Sequence, residues 1–223
     1  MRHLTTLIGG LLLSASAFAL SLADLTQSDA SAGLKDALSQ GATLAVQQLG
    51  RPGGFSDDPG VRIELPGNIG KASRMLKLLG MGTQVEQLEN SMNLAAEQAV
   101  PQAQQLLLDA VRNMTVQDAK SILAGGDDSA TRYLDRSSRE QIRARFLPIV
   151  KQATDQVGLA QQYNAVAANV PAGLNGNYAT IENYVTEQAL NGLFTVIAEQ
   201  EANIRQNPAA AATSLAKKVF GAL

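Results

Sequence analysis

The chain has 223 residues, no cysteine, no tryptophan and one histidine, His3. Without thiols there is no disulfide framework, no thiol nucleophile and no cysteine-ligated zinc. With 18 basic and 20 acidic residues the net charge is −2, which gives no electrostatic attraction toward nucleic acid.

The first nineteen residues, MRHLTTLIGGLLLSASAFA, place Arg2 before an apolar run, Leu7 to Leu13, and end on Ala17-Phe18-Ala19. This is the pattern of a secretory signal cleaved after Ala19. The run is too short to span a bilayer about 30 Å thick as a helix. No cysteine follows it, so no lipid anchor is expected. The mature chain, 20–223, keeps 204 residues, enough for one domain with its own core. It also loses the only histidine. Aromatic residues make up 4%, and alanine and leucine are abundant. That favours helices with small contact residues over a β-sandwich.

The elements follow in chain order. Residues 28–49 space Leu34, Leu38, Ala45 and Leu49 as one helical face, with Gly33 and Gly41 allowing a close neighbour. Residues 50–60, GRPGGFSDDPG, are a loop. Val61-Arg62-Ile63-Glu64-Leu65-Pro66 alternates apolar and charged positions, the signature of one extended segment. A short helix over 68–79 carries Ile69, Met75, Leu76 and Leu79. Thr83 and Glu86 then form a capping box for a long helix to about residue 113, with a kink or break at Pro101.

Residues 116–124 read as the next helix, opened by Thr115-Val116-Gln117-Asp118. Gly125 and Gly126 end it in the left-handed conformation, and Asp127 or Asp128 accepts from the amides of the next helix. That helix covers 129–157, with a joint at Ser137-Ser138, a bend at Pro148 and Phe146, Leu147, Val150 and Val157 inward. A short helix over 159–168, a loop over 169–179, a helix from Thr180 to about 206 and a last helix over 208–220 complete the chain. The expectation is an all-α fold, a single multi-helix domain of about eight or nine helices with one short extended segment near 61–66. It is not read as a simple four-helix bundle.

The chemistry begins with exclusions. A mature chain without histidine or cysteine has no Ser-His-Asp triad, no Cys-His pair and no histidine-held zinc. Asp57-Asp58 and Asp127-Asp128 lack the alternating spacing of a calcium loop. Arg132, Arg136, Arg139 and Arg143 form one stripe, read as a solvated face paired with Asp128, Asp135 and Glu140 rather than an anion site. Asn93 and Glu97 share a face of the long helix. Turned inward, they need partners, and Arg132 is a candidate for Glu97. The four tyrosines, Tyr133, Tyr163, Tyr178 and Tyr184, suit core edges with a wet hydroxyl.

Three stretches, SMNLAAEQAVPQA (91–103), NMTVQDAKSILAGGDDSATRYL (113–134) and YVTEQALNGLFTVIAEQEANIRQNPAAAATSLAKKVFG (184–221), resemble a family of exported bacterial proteins catalogued as domain of unknown function 4197. The resemblance covers essentially the whole mature chain. The family usually carries an aromatic pair near residue 134, where this chain has Leu134. The resemblance implies Gram-negative export and a helical domain. It supplies no catalytic residue.

The reading is a periplasmic, non-enzymatic helical protein that binds a partner, such as a periplasmic protein or lipid-like ligand, or an apolar ligand between its helices. No cofactor, metal, catalytic residue, nucleic acid or transmembrane segment is expected. The candidate ligand-binding residues are Asn93, Glu97, Asp128, Arg132 and Tyr133. One alternative is a carboxylate-dependent, hydrolase-like enzyme using Glu97, Asp128 and Arg132. Another is an envelope assembly or stress factor acting through an exposed apolar patch on the order of several hundred Å².

Overall fold

The computed structural model describes residues 21–117, 119–170 and 180–223. The expected signal at 1–19, loop residues 171–179 with Tyr178, and Asp118 lie outside the described residues. Among those described, the elements are α1 (Gln27–Leu49), α2 (Gly67–Leu76), α3 (Gly82–Asn113), α4 (Ala119–Leu123), α5 (Ser129–Gln156), α6 (Leu159–Ala167), α7 (Ile181–Gln206) and α8 (Ser214–Phe220). A π turn joins α2 to α3, and 3-10 turns precede α1 and α8. No strand occurs among the described residues, and the class is all-α.

The four long helices form a ring. α1 packs on α3, α3 on α5, α5 on α7, and α7 closes on α1. The short helices cover this bundle: α2 lies on α3, α4 against α1 and α5, α6 against α3, α5 and α7, and α8 along α1. The expectation that the fold is not a simple bundle therefore holds only for its outer elements. Alanine makes the ring close. Ala30, Ala42 and Ala45 of α1, Ala95, Ala96, Ala99 and Ala103 of α3 and Ala189 of α7 are fully enclosed. Short side chains bring helix axes near one another while leucines fill the gaps between.

Gly33 shows how tight this is. A Cβ placed there would lie 2.6 Å from Val219 Cγ2 on α8. Gly33→Ala is expected to cost about 1–2 kcal/mol net, the clash outweighing the helix-propensity gain. Thermal unfolding followed by circular dichroism should then show a Tm about 3–6 °C lower; an unchanged Tm would mean that α8 yields freely.

Several local expectations give way to packing. α3 runs unbroken through Pro101. Ala99, Val100 and Ala103 around it are fully buried, and that burial outweighs one missing backbone hydrogen bond. α5 likewise continues through Ser137-Ser138 and Pro148. The capping box at Thr83 does not form: the π turn Lys77–Met81 leads straight into Gly82, so Thr83 is already helical and lacks the extended geometry of a cap. Ile69 and Leu76 are buried as expected, joined by Ala72, whereas Met75 and Leu79 are 39% and 65% exposed. The spacing of three and four ends where Gly80, at φ 82°, breaks the helix.

The last expected helix is divided. Pro208–Ala210 is a 3-10 turn and Ala211 is extended. Thr213 then caps α8 by accepting from the Ala216 amide at 3.0 Å. The Ala212 amide donates to Gln40 Oε1 at 2.6 Å, and the Thr213 hydroxyl donates to Asp36 at 2.7 Å. These bonds to α1 override the helix preference of the alanine run. At α7, by contrast, Thr180 caps as expected, accepting from the Asn183 amide at 3.3 Å.

Candidate functional site

Asn93 and Glu97 do turn inward, at 1% and 6% exposure. Their partners are backbone, not Arg132. The Glu97 carboxylate accepts from the amides of Gly53 (3.2 Å), Phe55 (3.1 Å) and Ser56 (3.2 Å) and from the Ser56 hydroxyl (3.1 Å). Asn93 accepts from the Ile63 amide at 2.8 Å and donates to the Ile63 carbonyl at 2.9 Å and the Glu89 carbonyl at 2.8 Å. Together they fasten the connection 50–66 onto α3. The alternation along 61–65 is present, with Val61, Ile63 and Leu65 buried and Arg62 and Glu64 outside. The side chain of Asn93 takes the place of a neighbouring strand, bonding both backbone groups of Ile63. The Tyr184 hydroxyl adds a bond to the Glu64 carbonyl at 2.8 Å.

The glycine-aspartate corner between α4 and α5 is helix punctuation, but its residues work differently from the expectation. Neither Gly125 nor Gly126 has a positive φ. Asp128 occupies the cap position of α5 without a capping bond; it pairs with Arg132 at 2.7 Å on the surface. The caps come from α7. Glu201, 2% exposed, accepts from the amides of Ala130 (3.0 Å) and Thr131 (2.7 Å) and from the Thr131 hydroxyl (2.7 Å). Arg205 bonds Glu201 at 2.8 Å and donates to the Leu123 carbonyl at 2.7 Å and to Ser129 Oγ at 2.8 Å. One buried pair on α7 thus satisfies the carbonyl end of α4 and the amide end of α5. Sequence reasoning missed it. The available signal was a Glu–Arg pair four apart, with Glu201 falling on the Ile197–Ile204 stripe.

The arginine stripe divides. Arg139 pairs with Asp135 at 2.7 Å and Glu187 at 3.2 Å, and Arg143 pairs with Glu187 and bonds Asn183 at 2.7 Å. These contacts clamp α5 to α7. Arg136 lies off the clamp, exposed.

Tyr133 stands where two open clefts meet. Its hydroxyl donates to the Thr115 carbonyl, fixing the α3–α4 connection against α5. One cleft, about 260 Å³, has Leu106, Met114 and Ile142 as apolar floor and Asp109, Gln141 and Arg145 on its rim. Hydrogen bonds from Gln105 and Arg112 hold the Asp109 carboxyl below the usual carboxylate range, so it is ionised at neutral pH. The second cleft, about 600 Å³, is lined by Gln117, Ile122, Ser129 and Arg136. Thr115 and Tyr133 border both. Arg136 and Arg145 make no ion pair with a described residue within 4 Å.

Of the five candidate residues, the structure joins Asn93 to Glu97 and Asp128 to Arg132, and leaves Tyr133 at its own clefts. Asp128 and Arg132 border a shallow cleft of about 330 Å³ with Phe194 and Thr195, and Glu97 is not among its walls. Among the described residues no three carboxylates gather around a common point that could hold a cation, and no helix is long and apolar enough to cross a membrane.

Fold and site define an all-helical single-domain protein with two open clefts that meet at Tyr133. The chain belongs to the family described as protein of unknown function (DUF4197), whose model matches residues 24–221. No curated protein matches the chain, and no solved structure does.

Proposed function

We propose that this chain is an exported, periplasmic, non-enzymatic protein of Gram-negative bacteria that binds a partner through the clefts at Tyr133. What supports this is how its polar groups are used. Glu97, which an enzymatic reading would need, spends its carboxylate on four hydrogen bonds to the 53–56 backbone and Ser56. Asp128 is engaged by Arg132. Around Tyr133, in contrast, Arg145 edges the apolar floor of one cleft and Arg136 lines the other, neither with an ion-pair partner among the described residues. That arrangement suits a partner segment with an apolar side chain and a carboxylate, the arginine fork being matched to a planar anion. A partner is favoured over an enclosed apolar ligand because both clefts are open and rimmed by polar groups. The periplasmic address rests on Arg2, the apolar run and Ala17-Phe18-Ala19.

A photo-reactive residue at Gln141, on the cleft rim, tests the reading in cells that export the protein. A discrete cross-linked product is expected from position 141. It should be absent from the same residue at Lys151, an exposed position further along α5, and should fall at least about tenfold when Arg145→Ala is added, a loss of the size expected for a charged anchor. Equal products at both positions, or none at 141, would overturn the assignment.

A further inference from the structure

The corner between α2 and α3 carries the most exposed large apolar side chains among the described residues, Leu78 at 84% and Leu79 at 65%, beside Met75 at 39%. Met75 stands in the last turn of α2, and Leu78 and Leu79 follow in the π turn Lys77–Met81, past the stretch where Ile69, Ala72 and Leu76 bury into the core. Gly80, at φ 82°, ends the helical run here, so Leu78 and Leu79 stand beyond the buried stripe. Basic residues lie beside them in the chain. From Leu65 to Val85 the chain has Lys71, Arg74 and Lys77 and no acidic residue, although the whole chain carries −2. Lys71 and Arg74 are exposed without an ion-pair partner among the described residues. Lys77 faces Glu86 at 3.8 Å with both side chains more than half exposed, a weak, screened contact.

We propose that this corner seats the protein on an anionic lipid surface, with Leu78 and Leu79 entering the headgroup region and Lys71, Arg74 and Lys77 meeting phosphates. The reasoning is one of shape and charge. A stable protein interface needs about 800 Å² of matched surface on each partner. A corner with three exposed apolar side chains, turned by Gly80 at φ 82°, presents a point rather than a face. A bilayer accepts a point: a few apolar side chains insert, and the cations around them gain from the negative surface potential. Three exposed apolar side chains beside three cations, of which only Lys77 meets an acid within 4 Å among the described residues, match that surface. A protein groove would place both signs of charge more evenly around the rim. This inference is independent of the Tyr133 clefts, which lie on α3–α5 and use other residues.

The chain contains no tryptophan, so Leu78→Trp introduces a single indole at the corner. Because the indole reports its own surroundings, residues 1–19 do not confuse the reading. With vesicles of phosphatidylcholine and phosphatidylglycerol its emission should shift to the blue and be quenched by brominated acyl chains. With phosphatidylcholine alone, binding should be about tenfold weaker, and added salt should weaken binding to the anionic vesicles. Adding Lys71→Glu with Arg74→Glu should abolish the shift, while far-ultraviolet circular dichroism stays that of the parent. Lys151→Trp, placed on α5, should not shift. No shift at position 78 with anionic vesicles, an equal shift with neutral ones, or a shift surviving the charge reversal would each overturn the proposal.

Discussion

Glu97→Ala is expected to lower folding stability by about 3–5 kcal/mol, because one buried amide and two part-buried ones lose their acceptor at about 1–3 kcal/mol each and water entering the gap recovers part of the loss. For a domain of this size the Tm should fall by about 10 °C. The loss should be local as well as global. Hydrogen exchange at Gly53, Phe55, Ser56 and Ile63 should accelerate more than at Leu107 or Val111 in the second half of α3. Glu97→Gln should be intermediate, since one oxygen still accepts while the new NH₂ group faces donors. Asn93→Ala should add less than its own effect when combined with Glu97→Ala, because both hold the same connection. Stability equal to the parent's, with the 50–66 connection still protected, would show that the side chain is not an anchor and would return Glu97 to the list of groups available for chemistry.

The second large effect belongs to Glu201 and Arg205. Removing either leaves the other charge buried and helix-end groups unpaired, so Glu201→Ala and Arg205→Ala should each cost about 3–5 kcal/mol. The double replacement by methionine should not recover the parent stability. In an ordinary buried pair, apolar substitution of both partners is often neutral. Here the amides of Ala130 and Thr131 and the carbonyl of Leu123 would remain without partners. Arg205→Lys should lose most of the benefit too: a single ammonium cannot reach Glu201, Leu123 and Ser129 with the geometry of the guanidinium fork. Chemical denaturation of the four variants checks this, and recovery in the double methionine variant would sink the capping role. Arg205 also lies over the Phe220 ring at 5.6 Å, so the end of α8 should loosen with the α4–α5 corner.

These two polar anchors explain how a chain without disulfides keeps irregular segments in place. The connection 50–66 and the corner 124–128 contain the glycines and prolines that would otherwise leave them loose. Glu97 ties the first to α3 by gathering its backbone amides, and Glu201 with Arg205 ties the helix ends on either side of the second to α7. The Tyr133 clefts open beside the second of these corners, and the clamp of Arg139 and Arg143 onto Glu187 sets the angle of α5 against α7. The positions of Arg136 and Arg145 thus depend on contacts made by neighbours along the same stripe.

Much of the architecture was legible in the residues. Apolar spacing placed α1, α3, α5 and α7, and the alternation at 61–65 was correctly read as a single extended segment without a sheet. The caps at Thr180 and Thr213 had opposite fates for prediction. Thr180 was found because it stands directly before a strong apolar stripe. Thr213 was hidden inside an alanine run whose helix preference pointed the other way. That Asn93 and Glu97 share a face follows from their spacing; that the face turns inward, and onto which partners, does not. The partner amides sit some forty residues earlier in a loop, and no local pattern reports a backbone donor.

What the sequence alone determined is the helical class, the apolar faces and the absence of imidazole and thiol chemistry from the residues after His3, because these depend on composition and on periodicities of a few residues. Tertiary structure decided the rest: that α3 and α5 continue through their prolines, that the glycine-aspartate corner is capped from α7, and that Leu78 and Leu79 face outward while two arginines flank Tyr133. The corner's caps are set by contacts between segments distant in the chain, and the others by how far each helix stays against the core, neither of which sequence spacing can express.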